Sequence, residues 1–475
     1  MKLLIKEPLL KSELFKKLKK IIEEKKVESY IIGGAVRDYL INKKQPKDID
    51  IVCVGNGIKI AKALKKELSN SSKIQIFKNY GTAMFKWNEI VLEFVGARKE
   101  SYSKNSRNPN IEVGSLKDDQ NRRDFTVNSL AISLNSSNYG KLLDPFNGLN
   151  DLKEGILKTP LDPDKTFSDD PLRMMRAVRF ASQLNFTIEK KSLKSIIKNK
   201  KRIEIVSNER IVDELNKIIL SKKPSIGFII LDKTGLLKYI LPEIENLKGV
   251  DEIEGFKHKD NFYHTLEVLD NISKKTESLW LRWAALLHDI GKSKTKKLIN
   301  GIGWTFHGHE FIGSKMIYNL FKRLRMPLNE KMKYVQKLVL MSSRPIVIAQ
   351  DLVTDAAVRR LVFDAGDHID DLICLCKADI TTKNQKKFSE YHKNFEIVTK
   401  KIIEVENRDK IRNFQPPVDG DIIMKYFNLK PCKEVGYIKE IIKESILEGK
   451  IPNEKSSALE LMKKTGKKLG LKTDE

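Results

Sequence analysis

The sequence predicts a multidomain α+β protein: a mixed α/β head at the N-terminus, followed by a mostly all-α remainder. Three observations predict it. The chain has 475 residues, more than one domain usually holds, and its 40% hydrophobic content is enough for several cores. Between Tyr30 and about Leu143, short apolar strand patterns alternate with helical ones. From about residue 165 onward the pattern is helical apart from turns. Four domains are expected, at 1–160, 161–255, 256–395 and 396–475.

Residues 10–28 carry Leu and Ile at helical spacing. The N-terminal stretch is basic, but Glu7 and Pro8 interrupt it and no small-residue cleavage site follows. It therefore reads as an amphipathic helix rather than a signal peptide. Next comes SYIIGGAVRDYLINKKQPKDIDIV. A short strand (Tyr30 to Ile32) runs into Gly33 and Gly34. A helical run from Ala35 to Ile41 carries Arg37 and Asp38, and a second strand alternates Asp48 and Asp50 with Ile49 and Ile51. Further strands are expected at 74–77, 83–87 and 90–95.

Residues two apart in a strand share a face, so Asp48 and Asp50 aim together while both isoleucines face the core. Two adjacent carboxylates repel unless something neutralises them, and a divalent metal is the usual answer. Mg²⁺ takes one or two carboxylates together with waters and substrate phosphates. Gly33 and Gly34 allow close backbone approach and N–H groups aimed at a phosphate chain. The chemistry that fits is metal-assisted attack of a hydroxyl on a nucleoside triphosphate. Glu93, set among apolar residues in EIVLEFV, is either a third carboxylate of this site or an outward-facing strand residue.

The stretch NRRDFTVNSLAISL places Arg122 and Arg123 beside Asp124, with Asn128 four residues on. Two arginines beside a triphosphate would bind its oxygens by charge-assisted hydrogen bonds, and Asn128 could hold the sugar. A helix is expected over 167–186, with Asp170 and Pro171 as an N-cap and first-turn pair. Arg173, Arg176 and Arg179 recur along it as a basic stripe, and Asp170 and Arg173 are close enough to touch. An ionised Asp only accepts hydrogen bonds and an Arg only donates. Such a pair matches the amine-beside-ring-nitrogen edge of cytosine or adenine and mismatches uracil or guanine. An N-cap with a local salt bridge is the plain alternative. SNERIVDELNKIIL, starting at Ser207 or Asn208, is a further capped amphipathic helix.

These four segments, in this order, resemble the class II CCA-adding tRNA nucleotidyltransferase and bacterial poly(A) polymerase family. GGAVRD with DID is similar to its catalytic motif, RRDFTVNSLA to its ribose-binding motif, DDPLRMMRAVRF to its base-selecting motif, and NERIVDEL to its last head-and-neck element. The resemblance implies a polymerase-β-like nucleotidyltransferase head and a helical neck and body. It implies Asp48 and Asp50 as catalytic Mg²⁺ ligands, Asp170 and Arg173 as the template for CTP and ATP, and tRNA as the acceptor. Poly(A) addition, or addition of only part of CCA, shares the same motifs. Asp169 stands where the family usually has Glu.

A second constellation lies in 256–395: His264 in FYHTLEVL, His288 and Asp289 in LLHDIGK, His307 and His309 in FHGHEFIG, and Asp379 in KADITT. Imidazole with carboxylate suits a second divalent metal. The set His264, His288, Asp289 and Asp379 resembles the minimal core of the HD phosphohydrolase superfamily. His309 matches one of the extra histidines of related domains, but a further one expected near Ser342 is missing, so a single-metal site is expected. Hydrolysis there is left open, as is the reading that it is the main activity.

The tail from about Phe414 resembles the family's C-terminal element, with Cys432 where glycine is usual. The resemblance implies contact with the tRNA backbone, and residues 463–475 read as a mobile basic tail. The net charge of +26, from 89 Lys+Arg against 63 acids, suits a polyanionic partner, although a lysine-biased proteome would give the same balance. Cys53, Cys374, Cys376 and Cys432 form neither a zinc spacing nor a disulfide framework. A reduced, cytoplasmic setting is expected, and no apolar run is long enough to span a bilayer.

Overall fold

In the computed structural model, the described residues are all but 1–8, 45, 70–71, 79–80, 102–108, 251, 254–255, 258–259, 351–353, 410, 413 and 473–475. The chain forms two compact units, Met1–Pro242 and Glu243–Glu475.

The first unit begins with α1 (Glu13–Lys25), capped by Ser12 and ended by Lys26 in the left-handed region. A seven-stranded mixed sheet follows, with α2 (Gly34–Asn42) and α3 (Gly57–Glu67) among its connections. Its strands are β1 (Ser29–Ile32), β2 (Asp48–Cys53), β3 (Gln75–Phe77), β4 (Thr82–Trp87) and β5 (Ile90–Gly96), joined later by β8 and β9. β6 (Arg98–Ser101) and β7 (Asn110–Val113) form a separate hairpin, followed by α4 (Leu116–Asn121). β8 (Ala131–Ser133) and β9 (Leu142–Leu143) then complete the spatial order β3-β4-β5-β2-β1-β8-β9.

Strict alternation places the site. Ile49 and Ile51 are buried with Leu92 and Phe94 in a core that α1 and α3 also fill through Leu14, Phe15, Leu18, Ile60 and Leu64. The intervening residues point to the other face, which carries Asp48 and Asp50. β2 pairs parallel with β5, setting Asp50 beside Glu93, and antiparallel with β1, setting Asp50 opposite Ile32. The pair of glycines thus leaves β1 next to the acids.

After α5 (Gly148–Glu154) and β10 (Ile156–Leu157) come α6 (Pro163–Asp169), α7 (Leu172–Leu184), β11 (Thr187–Ile188), α8 (Lys190–Asn199), α9 (Asn208–Ile219), α10 (Ser225–Thr234) and α11 (Leu237–Ile240). The single helix expected over 167–186 is two. Asp162 and Pro163 start α6, and Asp170 ends it in an extended conformation with φ −132° and ψ 96°. A residue before proline is pushed out of the helical region, so Pro171 forces the break and begins α7. The helical stretch is also interrupted by short strand pairs: β10 with β11, β12 (Glu252–Ile253) with β13 (Phe256–Lys257), and β14 (Lys297–Ile299) with β15 (Gly303–Thr305).

In the order of the chain, the remaining helices are α12 (Pro242–Glu245), α13 (Asn261–Ser273), α14 (Leu279–Leu287), α15 (Lys292–Thr295), α16 (His309–Arg323), α17 (Glu330–Met341), α18 (Arg344–Gln350), α19 (Asp355–Ala365), α20 (Ile369–Asp379), α21 (Gln385–Asp409), α22 (Gly420–Tyr426), α23 (Lys433–Leu447) and α24 (Lys455–Lys468). Much of the expected mobile tail is instead ordered in α24. Ala458, Met462 and Thr465 are buried at helical spacing, and a side chain at Gly466 would run into the Phe427 ring. Cys432 is exposed at the N-cap of α23. Among the described residues, no helix is long and apolar enough to cross a membrane.

Candidate active site and metal centre

The head acids sit in a partly closed setting. Burial raises the Asp50 carboxyl above its ordinary range; Arg123 pulls the other way, and Asp48 adds to the rise. Burial likewise raises Glu93, with Asp50 contributing and Arg98 opposing. That shared electrostatic strain, and the strand register, make Glu93 a neighbour of the pair. Such an all-oxygen cluster, short of positive charge, fits a hard divalent cation.

Gly33 has φ +83°, a conformation that favours glycine, and caps α2. Its N–H donates to the Leu130 carbonyl at 3.3 Å, so this amide already has a partner within the fold. What Gly33 contributes is room. A Cβ there would stand 2.7 Å from Arg123 Nη1 and 3.6 Å from Asp50 Oδ2. Gly34 has ordinary space, its nearest neighbour being Arg37 Nη2 at 3.7 Å from such a Cβ.

The two adjacent arginines diverge. Arg123 donates to Asp119 at 3.2 Å and to the Asn128 carbonyl at 3.4 Å, close to Asp50. Arg122 pairs with buried Asp119 at 2.5 Å and with Glu100 at 3.2 Å. Asn128 is buried: its side-chain oxygen accepts from Arg37 at 2.7 Å and its amide donates to Asp124 at 2.9 Å.

The expected basic stripe of α7 is not a solvated face. Arg173 donates to the Arg122 carbonyl at 2.6 Å and lies 4.0 Å from Glu100. Arg176 pairs with Asp124 at 2.6 Å, and Arg179 pairs with buried Glu214 of α9 at 3.1 Å. Each arginine thus has its own acid or carbonyl. Arg37, Arg176 and Arg179 also surround the Phe180 ring, at 4.7, 5.3 and 4.1 Å from its centroid. Asp170 accepts from the Leu172 N–H at 3.2 Å at the start of α7.

In the second unit the sequence-predicted set converges. His264 from α13, His288 and Asp289 after α14, and Asp379 at the end of α20 meet at one point. His264 Nε2 lies 2.8 Å from Asp379 Oδ1 and 3.6 Å from Asp289; His288 Nε2 lies 3.4 Å from Asp289 and 3.6 Å from Asp379. Ligand atoms of His264, His288 and Asp379 all lie within 4.8 Å of one another. Buried His288 Nε2 and Asp379 Oδ1 make no well-directed hydrogen bond, which fits atoms aimed at a shared cation. Burial opposes charge on His288, but Asp289 and Asp379 push its pKa up to about 10, so the cluster attracts positive charge. His309 Nε2 approaches Asp289 Oδ1 at 3.4 Å, and Lys292 binds the other oxygen at 2.7 Å. Ser342, where a further histidine was expected, donates to the Val339 carbonyl.

Comparison with known proteins gives three family matches along the chain. Residues 29–158 match a poly A polymerase head domain, 185–248 a probable RNA and SrmB-binding site of polymerase A, and 261–384 an HD domain. A multifunctional CCA protein of Shewanella frigidimarina is 31% identical over 380 residues, spanning 76% of this chain and 86% of that protein. This chain belongs to the CCA-adding tRNA nucleotidyltransferase and poly(A) polymerase family. An A-adding tRNA nucleotidyltransferase of Aquifex aeolicus is 29% identical over 73% of this chain, which spans 44% of that longer relative. A solved CCA-adding enzyme in complex with ATP shares the fold, with a TM-score of 0.65 and 20% identity, covering 98% of this chain and 96% of that one.

Within the head, several positioning residues were not read from the sequence. Buried Asp119 holds both arginines, accepting from Arg122 on one oxygen and from Arg123 on the other, and Glu100 takes a further bond from Arg122 alone. Asp144 accepts from the Gly148 and Leu149 N–H groups at 2.7 and 2.9 Å, and Thr126 donates to Asp151 at 2.6 Å. A Cβ at Gly148 would run into the Thr126 carbonyl, so this turn packs directly beneath the 124–128 segment. The DPFNG turn signature was the available signal. Glu100 and Asp119 gave none, since their partners are distant in sequence or hidden among other charges.

Proposed function

We propose that this chain adds CMP and AMP, from CTP and ATP, to tRNA 3′ ends, releasing pyrophosphate. The observation that carries the proposal is Asp48 and Asp50 on one sheet face, with Arg123 beside Asp50, in the same compact unit as Asp170 and Arg173 at the start of α7. Asp48 and Asp50 would hold Mg²⁺, which when bound eases ionisation of the attacking ribose hydroxyl and neutralises phosphate charge. Glu93 supports that cluster from the next strand. Arg123 supplies a fixed cation where phosphate charge develops. Asp170 and Arg173 present an acceptor and a donor to the base edge, which admits C or A and leaves U or G with mismatched partners. For Arg173 to do so, its guanidinium exchanges the Arg122 carbonyl for the base. Asn128, Arg37, Asp124, Arg176 and Arg179 act on nucleotide binding largely by fixing these groups.

We read 1–160 as the nucleotidyltransferase head, 161–255 as neck and body, 256–395 as the HD domain and 396–475 as a tRNA-contacting tail, in a cytoplasmic enzyme. Lysines on the C-terminal helices suit a phosphate backbone. The HD cluster would hold a second divalent metal through His264, His288, Asp289 and Asp379.

A narrower reading, addition of A alone, is favoured by the likeness to the Aquifex aeolicus A-adding protein. One assay separates them: purified protein, tRNA lacking its CCA end and tRNA ending in CC, and CTP and ATP offered singly and together. Three added residues with both nucleotides support CCA addition. A single A on tRNA ending in CC, with no C incorporation, supports the narrower reading, and long A tails mean poly(A) synthesis.

A further inference from the structure

The three histidines of the HD cluster are oriented alike but not by the same means. His288 Nδ1 lies 2.8 Å from the Ala285 carbonyl, and His309 Nδ1 lies 2.9 Å from the Phe306 carbonyl. A carbonyl only accepts, so each Nδ1 carries a hydrogen and Nε2 is the nitrogen left to face the cluster, offering a lone pair once the ring is neutral. His264 differs: its Nδ1 lies 2.9 Å from Thr381 Oγ1, a buried side-chain hydroxyl that can either accept or donate. With the hydroxyl accepting, the hydrogen sits on Nδ1 and Nε2, 2.8 Å from Asp379 Oδ1, can offer a lone pair to a cation shared with that carboxylate. With it donating, Nε2 carries the hydrogen and cannot.

We propose that Thr381 is the positioning residue that sets the tautomer and ring orientation of His264 for binding a divalent cation. It rests on the reading of this cluster as a metal centre. Thr381 is well placed for the task. It lies two residues beyond Asp379, so one chain segment delivers both a candidate ligand and the group that orients another. Asn271 of α13 donates to the Ala378 carbonyl at 3.1 Å, tying the His264 helix to that same segment. Thr381, His264 and Asp379 also line one cavity of about 560 Å³, open to ions from solution, together with Glu267, Lys383 and Tyr391. His288 and His309 are thus oriented by backbone carbonyls, with Glu310 also 3.4 Å from His309 Nδ1, whereas the Nδ1 of His264 meets a side-chain hydroxyl, so substitution at 381 acts on that one ligand.

Partners of metal-bound histidines typically contribute about 10–100-fold to affinity. The test titrates Co²⁺ into the full chain carrying Asp48→Asn and Asp50→Asn, so that the head does not contribute, and reads visible absorption and calorimetric affinity. Thr381→Val, which keeps the shape and removes the hydroxyl, is expected to weaken Co²⁺ binding by about 10–100-fold. Thr381→Ser is expected to restore it to within about threefold. Equal affinity in Thr381→Val and the parent would overturn the proposal while leaving the metal centre intact. Failure of the parent itself to bind Co²⁺, with His288→Ala no different, would instead overturn the metal reading. Circular dichroism and thermal melting of each variant show whether it folds; a Thr381→Ser chain that folds yet binds as weakly as Thr381→Val also counts against the proposal.

Discussion

Arg176 of α7 donates its Nε to Asp124 Oδ2 at 2.6 Å, joining the helix of the base-selecting motif to the segment that follows the paired arginines. The other Asp124 oxygen accepts from Asn128, whose own oxygen accepts from Arg37 of the glycine motif. Three separated sequence motifs therefore meet in one hydrogen-bonded chain. Burial alone would raise the Asp124 carboxyl, but Arg176 and Asn128 hold it well below the ordinary carboxylate range. Its stabilising contribution is therefore complete above the unfolded value of 3.8 and declines as the pH falls below it toward the depressed folded value. Asp124→Asn is expected to lower stability at pH 7 by roughly 1.5–3 kcal/mol. The difference from the parent should shrink below about pH 4. Urea midpoints between pH 3 and pH 7 check both statements.

Gly33 is the position where backbone geometry and charge meet. Gly33→Ala forces a left-handed conformation on an L side chain, at roughly 1–3 kcal/mol, and pushes Arg123 away from Asp50. Nucleotide incorporation should fall by about 10-fold or more while circular dichroism stays unchanged. Gly34→Ala, with open space at its Cβ, should lose far less activity.

Arg173→Ala removes the donor half of the proposed base-edge pair. The ratio of kcat/KM for CTP or ATP over UTP or GTP should drop by roughly 100-fold, since an unmatched buried polar edge is what rejects the wrong base. Single-nucleotide incorporation with each of the four triphosphates measures it. Unchanged ratios would return the Asp170–Arg173 spacing to an ordinary helix start.

His288→Ala should abolish divalent metal binding at the HD cluster and leave nucleotide incorporation by the head within about twofold, as expected of sites that do not couple. Metal content after dialysis and a parallel incorporation assay read the two effects separately.

Much of this was legible from local pattern. The alternation Asp48-Ile49-Asp50-Ile51 fixed both the core face and the acid face, because a strand's period leaves no other choice. His264, His288, Asp289 and Asp379 were found through their resemblance to the HD core, with the adjacent His-Asp pair as its most recognisable part. What was not legible was partner choice. Arg122 and Arg123 look equivalent in sequence and share Asp119, yet Arg122 also pairs with Glu100 while Arg123 reaches the Asn128 carbonyl and lies beside Asp50. Arg179, read as part of a basic stripe, faces Glu214, a neighbour only after α7 and α9 pack. Apolar periodicity missed β8 because three residues give too short a sample, although it pairs with β1 in the sheet. Pro171 was read as a helix start without its second consequence, the extended Asp170 that separates α6 from α7.

The proposed nucleotide addition depends above all on the carboxylates of Asp48 and Asp50 acting together. The most direct measurement is the rate of CMP and AMP incorporation into tRNA lacking CCA by Asp50→Asn, with tRNA and CTP binding measured in parallel. The account predicts a loss of about 10³-fold or more in rate with tRNA binding retained. Incorporation by Asp50→Asn at the parent's rate would contradict it.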